Sequence, residues 1–355
     1  MRGRWRIPET LDSIPFFPDA LAPGYNMKTN LSQTKIILDT DPGGDDIFAF
    51  LWLQSLVKQG LAELVAVTTA AGNVQAKYTF ASASKILRLG GFEQVEVGRG
   101  VLLQKNEIAD AAHIHGADGM GNLSHTLPEA IHKFEEARYS DEIIIDKLNA
   151  APGEITIVAI APLTNLASAE EKSPSILKKA KEIVLMGGAF NRPGNVTPHA
   201  EFNIAYNPKA AQKVFESRND IVVLPLDVTN ELIFTNEMAN SLRQVNPDSH
   251  ITKFIIALCE FLTKTSLSYR ETKGVQGFLV HDAATLAYLF YPETLLLRRA
   301  KVSVETQGEW TCGQTLVDQR HSAKTGANSW VAVQVDKINF FASFIEDLKH
   351  SWKPS

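Results

Sequence analysis

Three short segments of this chain, EITIVAIA (Glu154 to Ala161), EIVLMGG (Glu182 to Gly188) and DIVVLPLD (Asp220 to Asp227), are nearly all apolar. A strand with one wet face alternates polar and apolar residues, so continuous apolar runs of this length belong to strands buried on both faces, as in a parallel sheet covered by helices. KIILDTD (Lys35 to Asp41) and LAELVAVTTA (Leu61 to Ala70) read as strands ahead of them. Parallel strands need crossovers, and helix-like segments lie between: DDIFAFLWLQSLVKQG, QAKYTFASASKILRLGG closed by Gly90 and Gly91, APLTNLASAEE and NPKAAQKVFES. The expected fold is α/β, a single doubly wound, Rossmann-like domain with a mostly parallel central sheet and a helical C-terminal third. Residues 31–355 are expected to form the domain and residues 1–30 an N-terminal arm. AKVSVET and WVAVQVD read as strands near the end.

In such sheets ligands bind beyond the carboxyl ends of the strands. Asp39 and Asp41, Gly72-Asn73, Thr164-Asn165, Met186-Gly187-Gly188 and Asp227 all fall there. The densest stretch is DTDPGGDD, in which Asp39, Asp41, Asp45 and Asp46 surround a turn made by Pro42, Gly43 and Gly44. Capping a helix start explains one or two aspartates. A buried group of carboxylates needs a cation or protons, and closely spaced oxygen ligands select hard cations such as Ca²⁺ or Mg²⁺. Haloacid dehalogenase-type phosphatases also open on a strand followed by DxDxT, but Pro42 stands where their threonine or valine would be.

The net charge of −5 gives no basic footprint for nucleic acid or a membrane surface. No apolar run reaches the ~18 residues of a membrane span. Two cysteines, Cys259 and Cys312, suit a reducing compartment. The first residues hold prolines and no continuous apolar core of a signal peptide, so a cytoplasmic protein is expected.

DTDPGGDD resembles the DxDPGxDD signature of the inosine-uridine preferring nucleoside hydrolases. The likeness continues in that family's order through TTAAGN (Thr68 to Asn73), HGADGMGN (His115 to Asn122), APLTNLA (Ala161 to Ala167), MGGAF (Met186 to Phe190), GNVTPHAEFN (Gly194 to Asn203) and VHDAATLAY (Val280 to Tyr288). It spans nearly the whole chain apart from the arm.

The resemblance implies hydrolysis of the N-glycosidic bond of ribonucleosides to ribose and free base. It implies a Ca²⁺ site made by Asp41, Asp46, the Thr164 carbonyl and Asp282, with Asp39 behind it and Asp41 also the general base toward a Ca²⁺-bound water. By the same pattern Asp45 and Asn203 contact the secondary ribose hydroxyls and Asn195 and Glu201 the 5′ end. Asn73 supports the aspartates, and Met186 and Phe202 pack near the sugar. His281 matches the donor to the leaving base, His115 a base-side pocket histidine, and Tyr269 a pocket edge. A homodimer or homotetramer is the family's habit. Three positions depart from the pattern: Gly44 replaces a larger residue, Ala161 a glycine, and Cys312 an arginine. Two other readings stand beside this one, a different metal-dependent hydrolase such as a phosphatase, and a catalytically degenerate binder of nucleoside or ribose.

Overall fold

The computed structural model describes residues 33–102, 109–318, 320 and 326–352; the expected arm at residues 1–30 lies outside them. The strands are β1 (Thr34–Thr40), β2 (Ala62–Thr69), β3 (Val97–Gly98), β4 (Ile155–Ala159), β5 (Glu182–Met186), β6 (Ile221–Leu224), β7 (Ile233–Thr235), β8 (Gly277–Leu279), β9 (Leu295–Ala300), β10 (Val302–Val304), β11 (Thr315–Val317) and β12 (Ser329–Val335). Eight of them form one sheet in the order β3-β2-β1-β4-β5-β6-β12-β9. The chain starts in the middle at β1, steps outward to β2 and β3, then returns to β4 and proceeds the other way. All neighbours are parallel except β9, which runs antiparallel to β12 at the edge. The order reverses between β1 and β4, and the crevice of a doubly wound sheet opens there.

Both faces of the sheet are covered, which is why the strands read as apolar runs. Ile36 and Leu38 of β1 pack into the core on one face and Ile37 into the core on the other. The helix Gly44–Lys58 is buried along most of its length, because the C-terminal helix Lys337–Trp352 lies over it. Trp52 meets Phe344 and Phe340 edge-on at 4.8 and 5.8 Å between ring centroids. The C-terminal third holds the expected helices, among them His250–Ser268 and Ala283–Phe290. It also carries strands that periodicity did not disclose: β9 in TLLLRRA, and the three-residue β7 and β8, which pair with each other.

Candidate active site

β1 delivers Asp39 and Asp41 to the crevice, and the Pro42-Gly43 turn starts the helix Gly44–Lys58. Asp46 reaches back from the third helical position, where its Oδ2 accepts the Gly43 N–H at 3.2 Å, a capping box. It also accepts from Thr40 Oγ1 at 2.6 Å and from Asn73 Nδ2 at 2.9 Å, so capping is only part of its work. Asp41 Oδ2 accepts the Asn73 N–H at 2.6 Å. Gly72 must lack a side chain here, since a Cβ would lie 2.0 Å from that oxygen and 3.0 Å from Pro162 Cδ. The turn that leads from β4 to Thr164 therefore packs beside Asp41. Asp41 Oδ1 is buried with no partner among the described residues. Asp39 lies deeper, where its Oδ1 accepts from Thr68 Oγ1 at 2.7 Å and Asn165 Nδ2 at 2.8 Å.

The facing wall comes from the end of β8. Asp282 is 4% exposed, and no donor among the described residues reaches its carboxylate. Asp45 Oδ2 accepts the His281 N–H at 3.0 Å and ties this wall to the first helix. Carboxylate oxygens of Asp45, Asp46 and Asp282 all lie within 4.8 Å of one another. Burial raises Asp41 and Asp282 well above the usual carboxylate range. Neighbouring carboxylates act in the same direction; those acting on Asp282 are Asp45, Asp46, Asp41 and Glu201. Burial likewise raises Asp39 and Asp46 to about 7. A bare cluster of this kind is costly, and oxygen donors without protein partners fit a hard divalent cation. Asp45, Asp46 and Asp282 could hold it; Thr164, an expected ligand, opens the helix Thr164–Lys172 beyond β4.

Beyond β5, Glu201 caps the short helix Phe202–Tyr206, accepting the N–H groups of Asn203 at 2.8 Å, Gly188 at 3.0 Å and Ile204 at 3.2 Å. Burial still raises it to about 7. Asn203 Nδ2 donates to the carbonyls of Met186 at 3.2 Å and Ile160 at 3.3 Å, which fixes it across the ends of β5 and β4. Asn195 is exposed and accepts the Phe202 N–H at 2.9 Å. Phe202 turns to Tyr206, 5.5 Å between centroids.

Just beyond β8, His281 Nδ1 lies 2.8 Å from Thr229 Oγ1. His115 ends the short helix Ala112–His115, and its Nδ1 accepts the Gly44 N–H at 2.7 Å. Burial lowers its pKa to about 4. Tyr269 sits half-exposed at the end of the helix His250–Ser268, edge-on to His113 at 5.5 Å. Asn73 thus joins Asp41 to Asp46, Asp45 joins His281, and His115 joins the Gly44 backbone. Asn195 and Tyr269 stand at the exposed margin.

Several positioning groups escaped the sequence reading of individual roles. Thr40, Thr68 and Thr229 hold Asp46, Asp39 and His281. Asn165 donates to Asp39 and to the Thr69 carbonyl and accepts the Val101 N–H, so one side chain joins three strand ends. Asp227, read only as a strand end, accepts the N–H groups of Phe190 and Asn191, both at 2.8 Å. Their signal was adjacency to motif residues, and which atoms they meet depends on chain crossovers.

Residues 36–342 match the family model described as inosine-uridine preferring nucleoside hydrolase. The chain is 35% identical over 327 residues to a probable uridine nucleosidase 1 of Oryza sativa subsp. japonica, covering 90% of this chain and 97% of that one. It is 33% identical to the inosine-uridine preferring nucleoside hydrolase of Leishmania major, covering 90% and 99%. Among solved structures, the purine-preferring ribonucleoside hydrolase from Gardnerella vaginalis superposes with a TM-score of 0.82 at 28% identity, covering 90% of this chain and 99% of that one. With the family's motifs gathered into one crevice and the family model matched along most of its length, this chain belongs to the inosine-uridine preferring nucleoside hydrolases.

Proposed function

We propose that residues 31–355 form one catalytic domain, a Ca²⁺-dependent ribonucleoside hydrolase that cleaves purine or pyrimidine nucleosides to ribose and free base. The observation that carries the metal is Asp41 Oδ1, a buried acceptor without a partner among the described residues, beside carboxylate oxygens of Asp45, Asp46 and Asp282 gathered within 4.8 Å of one another. Asp41, Asp46, the Thr164 carbonyl and Asp282 would hold Ca²⁺, which would supply positive charge against these carboxylates and lower the pKa of a bound water. The family resemblance supports Ca²⁺ as the ion, a homodimer or homotetramer, and a cytoplasmic role in nucleoside salvage. Among the described residues no helix is long and apolar enough to cross a membrane.

Asp41 is the general base. Asn73 holds one of its oxygens and leaves the other for the water's proton. Asp45 and Asn203 take the secondary hydroxyls of ribose, and Glu201 with Asn195 takes the 5′ end. These contacts lie away from the reacting carbon and help distort the sugar toward an oxocarbenium-like geometry, whose positive charge the carboxylates favour. His281, steadied at Nδ1 by Thr229, donates to the departing base. The test is ribose release from inosine, uridine, adenosine and cytidine with Ca²⁺ present. Release from at least one supports the reading and ranks the bases. Binding of ribose without release from any of them would replace it with a degenerate binder.

A further inference from the structure

We propose that Gly44 is a positioning residue that makes His115 a fixed, uncharged hydrogen-bond donor toward the nucleobase. This rests on the reading of His115 as a base-side residue of the hydrolase site. A backbone N–H can only donate, and the Gly44 N–H lies 2.7 Å from His115 Nδ1. Nδ1 must therefore present its lone pair, which leaves the ring proton on Nε2. Nε2 itself has no partner among the described residues. A second proton on Nδ1 would set N–H against N–H and break the bond. The charged and titratable groups acting on the ring are Asp45, His113 and His281.

The glycine is what lets the ring come so close. Gly44 opens the helix Gly44–Lys58, so its N–H has no acceptor within the helix. A Cβ at this position would lie 2.5 Å from Leu262 Cδ2 and 3.2 Å from His115 Nδ1. Leu262, from the helix His250–Ser268, fills the space a side chain would take. The departure at Gly44 is therefore compensated rather than left loose.

His281 is held differently. Its Nδ1 meets the Thr229 hydroxyl, which can donate or accept, so this bond does not fix the tautomer of that ring. The two histidines divide the work: His281 can give up a proton, while His115 offers Nε2–H to a carbonyl oxygen or ring nitrogen of the base and keeps its proton.

The experiment compares Gly44→Ala/Leu262→Ala with Gly44→Pro/Leu262→Ala in the full chain with Ca²⁺. Alanine keeps the backbone N–H, whereas proline replaces it with its ring Cδ, which both removes the donor and crowds the His115 ring 2.7 Å away, so the wild-type tautomer carries the decision. Proline suits the first helical position, and Gly43 before it is extended at φ −126° and ψ −166°, as a residue preceding proline must be. Side-chain ¹⁵N NMR of His115 should show Nε2–H in wild type and in the alanine variant, and loss of that single tautomer in the proline variant. For inosine, kcat/KM should fall about tenfold from the alanine to the proline variant, mostly through KM. The same tautomer in both variants, or equal kcat/KM, would overturn the proposal. Wild type alone also decides it, should the proline variant not fold: Nδ1–H or an imidazolium at neutral pH would contradict it. If wild type releases no ribose, the hydrolase reading fails, and the NMR result still judges the role of Gly44.

Discussion

The backbone N–H of Asn73 donates to Asp41 Oδ2 at 2.6 Å, and that bond decides which oxygen of Asp41 is left over. The spare Oδ1 is buried without a donor, so Asp41 carries an unsatisfied acceptor into the crevice. Asp41→Asn keeps an oxygen for Asn73 and removes one negative charge from the cluster. Ribose release should fall at least about 100-fold, with unchanged circular dichroism and no loss of Tm in the chelated protein. Wild-type kcat in this variant would remove Asp41 as the base.

His281→Ala should separate substrates by their leaving groups. Inosine needs a proton on the departing base, so its kcat should drop by about 100-fold or more. A nitrophenyl riboside leaves as a stable anion and should lose far less. Equal losses on both substrates would count against His281 as the acid.

Glu201 links the proposed sugar pocket to pH. Burial raises its pKa from 4.5 to about 7, so the folded protein holds this proton more tightly than the unfolded chain does. Its contribution to stability therefore declines as pH rises between those values. Glu201→Gln removes that titration. Denaturant unfolding of the chelated proteins should show wild type losing more stability than the variant across this window. Parallel profiles would show that Glu201 does not titrate there.

How legible the molecule was depended on the range of the interaction. The apolar runs of β4, β5 and β6 disclosed a parallel sheet because burial on both faces is a local property of composition. The three-residue β7 and β8 carry too little pattern to see, and β9 hides because its burial alternates against residue type, with Leu296 exposed and Arg299 half-buried. DTDPGGDD announced its own chemistry, since no packing argument accommodates that much charge. That Thr229 holds His281 and that Leu262 fills the space over Gly44 follows only from which helices the crossovers bring together, and no spacing encodes it.

Asp347 separates structure from catalysis. Trp52 Nε1 at 2.7 Å and Tyr291 OH at 2.6 Å donate to its Oδ2, and Gln59 Nε2 donates to its Oδ1 at 2.9 Å. These bonds fasten the C-terminal helix to the helix Gly44–Lys58, away from the crevice. Asp347→Ala should cost about 1–3 kcal/mol for each buried donor left unpaired, while kcat per folded molecule stays unchanged. A kcat that falls with stability would mean that docking of this helix governs the site.

The most direct measurement is a calorimetric titration of Ca²⁺ into the chelated protein, with ribose release from inosine followed on the same samples. A cation that completes the carboxylate cluster should bind at one site per chain and restore turnover in proportion to occupancy, and Asp282→Asn should lose both the heat and the recovery. Full turnover in the chelated protein, with no heat on adding Ca²⁺, would contradict the account.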